Sequence, residues 1–183
     1  MIKLCIMKTS LMRETKETRV EVSLDMESRE TSVSTGIELL DCVLKSLAQS
    51  AQMGLKVAAH GDLATGDHHT VEDVGITAGS AMARLIKGGK GPGNGCAIVP
   101  LGNVLATAAV RFGEPGYLEE FSFASERLGG MELENFSHFM RSLAYNGSFS
   151  LYLGAKGDDD RRKAEAMAAA LGSALRAAFK GQW

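Results

Sequence analysis

Near the middle of the chain stand three residues able to hold a metal ion: His68, His69 and Glu72. On a helix, His68 and Glu72 lie one turn apart on the same face and can converge on one cation. His69 points about 100° away around the axis. Adjacent imidazoles therefore serve two ions, or two faces of one cleft, more readily than a single ion. Mixed imidazole and carboxylate donors suit zinc, manganese or iron better than calcium or magnesium. The other reading is a solvated helix start at which neither histidine ligates anything, and the residue types alone leave both open.

Such a cluster needs a helix to display it. The spacing predicts one from His68 to Lys87, stopped by Gly88-Gly89 and preceded by a strand at Leu55–Ala59 and a polar loop at Gly61–Asp67. Upstream, Thr18–Asp25 alternates, with Val20, Val22 and Leu24 on one face, as in a half-buried strand. Gly36–Gln52 places Ile37, Leu40, Val43, Leu44 and Leu47 at helical spacing, with Thr35 as its expected cap. Gly91–Gly95 is the clearest break. Beyond it short strands are expected around Ala97–Pro100, Ala106–Phe112 and Leu118–Ala124, then a helix around Leu133–Tyr145 and a strand at Ser148–Leu153. An alanine-rich helix from about Asp159 to Phe179 ends the series.

The two halves of that series repeat. Leu40–Ala48 aligns with Phe136–Ala144, and His68-His69-x-x-Glu72 aligns with Arg161-Arg162-x-x-Glu165. The expected fold class is α+β: tandem duplicated half-domains, each a mainly antiparallel sheet with two helices on one face. The expected boundaries are 11–90 for the first repeat and 94–181 for the second, with 1–10 as an N-terminal extension.

Composition excludes several classes. The 183 residues are 45% hydrophobic and 23% charged, with a formal net charge of -2, as in an ordinary globular chain. No basic stripe suggests a nucleic-acid partner, since Arg161-Arg162-Lys163 follows and is offset by Asp158-Asp159-Asp160. Cys5, Cys42 and Cys96 are odd in number and scattered, which fits a reducing cytoplasm. No stretch reaches the ~18 apolar residues of a membrane helix, and Lys3 and Lys8 interrupt the apolar start. Gly88–Gly95 lacks the Lys-Ser/Thr pair of a phosphate loop, Cys42 reads as a buried structural thiol, and His60 is expected to face solvent.

Gly61-Asp62-Leu63, followed by His68-His69-Thr70-Val71-Glu72-Asp73-Val74-Gly75-Ile76, resembles the signature of the imidazoleglycerol-phosphate dehydratase family. Arg13-x-Thr15-x-Glu17-Thr18, Thr35-Gly36-Ile37-x-x-Leu40-Asp41, Val99-Pro100 and His138-Phe139-x-x-Ser142-Leu143-Ala144 are similar to its other motifs, in order, over about residues 11 to 180. The resemblance implies the family's duplicated fold and a homo-oligomer, an octahedral shell of twenty-four subunits with metals at the interfaces. It implies manganese, or another divalent transition metal, held by His68, His69, Glu72, His138 and Glu165, with Glu17 as catalytic general acid/base. The implied substrate is a small phosphorylated imidazole, dehydrated in a step of histidine biosynthesis.

This chain departs from that pattern mostly in its second half. Cys42 replaces a ligating histidine, and Arg161 and Arg162 stand at the second His-His pair, where a guanidinium cannot ligate. Gly93, Asn94-Gly95, Glu114 and Ala169 fall where the family grips phosphate. Two expectations follow: a dehydratase relative with impaired or altered activity, or a non-catalytic paralogue binding one metal or an anion. In either, Arg161 and Arg162 can replace the metal by neutralising Glu72 and Glu165, or can bind a different anion.

Overall fold

The computed structural model describes residues 8–64, 66–87 and 93–180. Its first half runs Lys8–Glu14 (β1), Thr18–Asp25 (β2), Thr31–Ser34 (β3), Glu38–Ala51 (α1), Gly54–Gly61 (β4) and His68–Lys87 (α2). The second half runs Asn94–Leu101 (β5), Val104–Phe112 (β6), Gly116–Glu120 (β7), a short hairpin of Arg127–Leu128 (β8) and Met131–Glu132 (β9), Glu134–Gly147 (α3), Phe149–Lys156 (β10) and Asp160–Lys180 (α4). The glycine pair expected to stop α2, and the first two residues of the glycine-rich break, lie outside the described residues.

Alternation builds each sheet. In β2 every second residue, Thr18, Val20, Val22 and Leu24, is buried, and β6 repeats this with Val104, Ala106, Ala108 and Val110. The strands pair in the orders β1-β2-β4-β3 and β5-β6-β10-β7. In both sheets the last pair alone is parallel: β3 on β4, and β7 on β10. The architecture is therefore α+β and internally duplicated, with one topology used twice. Within each half two helices cover one face of the sheet, and the helix layers then meet, α2 packing on α3 and α1 on α4. The order of layers is sheet, helices, helices, sheet.

Two glycines make that meeting possible. A side chain at Gly79 of α2 would run into the Leu143 carbonyl and the Gly147 nitrogen of α3. At Gly172 of α4 it would run into the Leu47 carbonyl and the Ala51 nitrogen of α1. These are matching positions of the repeat, so the two crossings use the same contact. Around them Leu44, Leu47, Phe136, Phe139 and Leu143 are buried almost completely. Truncating one such phenylalanine to alanine costs about 3–5 kcal/mol.

Several local expectations need correction. Thr35 does not cap α1, whose first flanking residue is Ile37 without a side-chain cap. Thr35 instead gives its backbone N–H and its hydroxyl to Asp41 Oδ1, at 3.0 and 2.6 Å. That closes the loop onto the first turn by another route. The third strand of the second half begins and ends earlier than expected, at Gly116–Glu120. Strands β1 and β3 carry no clear alternation because they lie at sheet edges, where most of their side chains meet solvent. Cys42 is half-buried, not buried, whereas His60 is exposed as expected. Among the described residues no helix is long and apolar enough to cross a membrane.

Candidate metal and active site

His68 opens α2, and its ring meets His138 of α3 edge to face, with centroids 4.9 Å apart. Its Nε2 lies 3.6 Å from Glu72 Oε2, one turn along the same helix. The ring's orientation follows from residues behind it. Asn135 Nδ2 donates to the buried Asp67 carboxylate at 3.2 Å, which leaves Asn135 Oδ1 facing His68 Nδ1 at 2.9 Å. An amide oxygen only accepts, so Nδ1 carries a proton there and Nε2 is turned toward Glu72. This is the arrangement by which a ligating histidine is commonly fixed.

His69 points elsewhere, as adjacent helical residues must. Its Nδ1 donates to Glu17 Oε2 at 2.8 Å, again leaving Nε2 free of that bond. Glu17 sits at the tip of the β1–β2 hairpin, and the hairpin is fastened to α2 from two sides. Arg13 Nε donates to Asp73 Oδ1 at 2.6 Å, and the Thr18 hydroxyl donates to Asp73 Oδ2. The Thr15 hydroxyl accepts the backbone N–H groups of Glu17 and Thr18, at 3.2 and 3.0 Å, shaping the turn. Asp73 therefore holds the carboxylate-bearing hairpin over the two histidines.

At the start of α4 the repeat presents a second cluster of opposite character. Arg161 grips Glu38 of α1 with both guanidinium nitrogens, at 2.7 and 2.8 Å, and its Nη1 stands 4.0 Å from Glu165 Oε1. Cys42 Sγ donates to Glu38 Oε1 at 3.6 Å. Hydrogen bonding to Arg161 holds the Glu38 carboxyl below its usual range and in turn raises Arg161. Burial first, then the Glu38 carboxylate, pushes the Cys42 thiol up, so the sulfur remains protonated at neutral pH. Arg162 turns away, with Nη1 3.3 Å from Asn103 Oδ1 and Nε 3.5 Å from Asp159 Oδ2.

The expected site residues thus fall into two groups. The structure brings His68, Glu72 and His138 together, sets His69 on Glu17 beside them, and puts Glu165 in the other cluster with Arg161 and Cys42. Among the described residues of one chain, no three His, Cys, Asp or Glu side chains close into a metal-holding set. The expectation that Arg161 and Arg162 neutralise Glu72 and Glu165 is corrected for Glu72 and for Arg162, while Arg161 does stand 4.0 Å from Glu165. Arg161 pairs chiefly with Glu38, Glu72 pairs with His68, and Arg162 reaches neither glutamate.

Sequence reasoning passed over Glu38, Asn103 and Asn135, and noted Asp67 only as an aspartate shifted from its place in the family pattern. The signals available were the spacing of Glu38 one turn before Cys42, and the position of Asn103 at the tip of the second hairpin, matching Glu17. For the β8–β9 hairpin the available signal was the Gly129-Gly130 pair, which sequence reasoning did not use. The hairpin turns through Gly129 and Gly130 at φ 54° and 80°, a left-handed two-residue turn suited to glycine. From there the Gly129 carbonyl takes the Leu39 N–H, and the Glu132 N–H reaches Asp67, so one small hairpin touches both clusters.

The positions matching the family's phosphate grip are not themselves cationic: Gly93, Asn94, Gly95, Glu114 and Ala169 stand there. Gly93 gives its N–H to the Ala178 carbonyl at 3.0 Å, and a side chain at Gly95 would strike the Ala174 carbonyl, so this segment is bound to α4. Glu114 is exposed and Ala169 lies on α4. The groove of about 660 Å3 beside His138 is lined by Glu119, Glu126, Glu132 and Glu134 against a single Arg141. That balance repels a dianion.

The sequence profile of the imidazoleglycerol-phosphate dehydratase family matches residues 35–175. The chain is 38% identical over 171 residues to imidazoleglycerol-phosphate dehydratase of Methanothermobacter thermautotrophicus, covering 92% of this chain and 88% of that protein. It is 37% identical over 172 residues to the histidine biosynthesis bifunctional protein HisB of Stenotrophomonas maltophilia, covering 93% of this chain and 48% of that protein. The chain therefore spans about half the length of such bifunctional relatives. In fold it is similar to the crystal structure of the dehydratase from Staphylococcus aureus, with a TM-score of 0.85 and 24% identity over 94% of this chain and 98% of that one. The Pyrococcus furiosus enzyme in complex with (S)-C348 gives a TM-score of 0.81 and 25% identity, over 92% and 93% of the two chains.

Proposed function

Since the chain belongs to the imidazoleglycerol-phosphate dehydratase family, we propose that it is a hydro-lyase relative whose chemistry has contracted to the cluster at the start of α2. The proposed substrate is imidazoleglycerol phosphate, a small phosphorylated imidazole, and the proposed setting is the cytoplasm, where the thiols of Cys42 and Cys96 stay reduced. The observation that carries this reading is the orientation of the two imidazoles: buried Asp67 acting through Asn135, and Glu17, engage the Nδ1 of each, and His68 Nε2 is turned to Glu72.

These donors fit manganese or another divalent transition metal, and His68, His69, Glu72 and His138 would hold it. Such a metal supplies positive charge that favours an electron-rich imidazole ring in the substrate. Glu165 and its neighbours do not fit, because a guanidinium and a protonated thiol cannot ligate a hard cation. Within the first cluster Glu17 holds or releases a proton at Oε2, the oxygen on His69, as the general acid/base of the dehydration. Arg13, Thr18 and Asp73 position Glu17, and Asp67 and Asn135 position His68. The cluster calls for completion by another subunit, in keeping with a homo-oligomeric shell.

Two observations favour a second reading, a non-catalytic relative that keeps the scaffold: the second cluster is internally neutralised, and the residues at the phosphate positions are not cationic. Rates of dehydration of imidazoleglycerol phosphate by the full chain with manganese, against the same protein carrying Glu17→Gln, separate the two. Turnover abolished by Glu17→Gln supports the lyase. A background rate equal in both proteins, with the assembly intact, leaves the non-catalytic relative.

A further inference from the structure

The duplication sets residues of the two halves opposite one another, contact by contact. His68 and Glu72 correspond to Arg161 and Glu165, and both pairs approach along one helix turn, at 3.6 and 4.0 Å. His69 on Glu17, at 2.8 Å, corresponds to Arg162 on Asn103, at 3.3 Å. His138 corresponds to Cys42, and the backbones that carry these residues cross through matching glycines, Gly79 and Gly172. At one end of this frame the donors converge without a fixed cation. At the other a cation is built into the chain.

We propose that the Arg161 guanidinium is the permanent cation of the second cluster, a covalently tethered substitute for a metal ion that makes this half of the molecule metal-independent. The contacts fit that role. A guanidinium fork satisfies both oxygens of Glu38, its charge also faces Glu165, and the Cys42 thiol donates its proton to the same Glu38 carboxylate. Glu38 and Cys42 lie on α1, and Arg161 and Glu165 on α4, so the fork also ties the two helices where they pack. A free ion bound there is lost to chelators and to dilution, whereas a tethered one is always present. The cost is chemical: a guanidinium has no open coordination position, so nothing can be activated on it. Without Arg161, Glu38, Cys42 and Glu165 are left as carboxylates and a thiol, the donor types that zinc takes, though they must still draw together to close on an ion.

The duplication carries this assignment independently of the activity proposed above, and metal counting tells the two apart. Full-length protein is equilibrated with zinc, and separately with manganese, dialysed without chelator, and assayed for metal per chain as the native sequence, Arg161→Ala, Cys42→Ala, Arg161→Ala/Cys42→Ala and His68→Ala. We expect Cys42→Ala to match the native count, Arg161→Ala to gain about one zinc per chain, and the double variant to lose that gain. Arg161→Met keeps the stem of the side chain if the alanine variant fails to fold, and the same gain is expected. A native count that falls on Cys42→Ala, or a folded Arg161 variant that takes up no extra zinc, overturns the assignment. The count lost on His68→Ala concerns the first cluster only: a native protein with no metal at all retires the lyase reading and upholds a metal-free second cluster.

Discussion

At the start of α2 the chain presents His68, His69 and Glu72; at the start of α4 an equivalent backbone presents Arg161, Arg162 and Glu165. The contrast continues beneath the surface. Asp73, which fastens the first hairpin, corresponds to Ala166, and Thr18 corresponds to Val104, both buried. Glu17 corresponds to Asn103, so the second hairpin has neither the carboxylate nor the clamp that would aim it. What stays constant is packing: strand order, helix pairing, the glycine crossings, and the left-handed residues Gln52 and Ser148 that close α1 and α3. The lesson is that scaffold and site are separable here. The crossings that hold the layers together lie within the helices, while the chemistry occupies helix ends and hairpin tips, where a substitution disturbs few packed atoms.

The largest expected effect tests whether the two clusters differ in function. Glu17→Gln is expected to lower the dehydration rate by about 10²–10⁴-fold. Arg161→Ala, measured in the same assay, is expected to change it less than about tenfold, because the guanidinium only positions the scaffold. Equal losses would mean that both clusters serve the chemistry and would erase the distinction.

The scaffold should show the reverse, symmetry instead of contrast. Gly79→Leu and Gly172→Leu each drive a side chain into the backbone of the facing helix, and each is expected to destabilise by about 3 kcal/mol in urea unfolding. If one glycine tolerates the change, the two crossings are not equivalent.

A smaller effect sharpens the comparison of the buried aspartates, Asp67 and its counterpart Asp160. Although burial opposes ionisation of Asp160, hydrogen bonds from Lys163 and from the Ser125 and Ala124 N–H groups hold its carboxyl down to about 2, below the ordinary 3.8. A lowered folded value means the stabilising contribution is complete above about pH 4 and is lost as pH falls through about 2. It is worth about 2 kcal/mol at neutral pH. Melting temperature against pH should therefore drop between pH 4 and 2 in the native protein, and Asp160→Asn should lower the plateau and flatten that drop. A native curve with the same slope as the variant's would show that Asp160 contributes nothing through its charge.

The smallest effect is the Arg161–Glu38 coupling itself. Both side chains are substantially exposed, so a double-mutant cycle of Arg161→Ala and Glu38→Ala is expected to give no more than about 1 kcal/mol. A coupling of several kcal/mol would mean that this pair is desolvated in the assembled protein.

Much of this was legible in one dimension. The helical spacing of Leu40, Val43, Leu44 and Leu47 and the alternation of Val20, Val22 and Leu24 predicted α1 and β2, and the alignment of Leu40–Ala48 with Phe136–Ala144 predicted the repeat. Edge strands β1 and β3 were not legible, since each sends only one large apolar side chain inward, Leu11 and Val33, which is too few to show a period. Thr35 looked like a cap and instead serves Asp41, because a hydroxyl two residues outside a helix can satisfy either the backbone or a side chain in the first turn.

By itself the sequence determined the fold class, the family, and which residue types stand at each end of the repeat, because periodicity and motif order are local properties of a chain. Tertiary structure alone decided who meets whom. It gave Arg161 to Glu38 and not to Glu72, aimed His68 through Asn135 and Asp67, and set Glu17 on His69. Each of these pairs or chains joins elements far apart in sequence, and charge and hydrogen bonding act across a few ångströms of space whatever the separation along the chain.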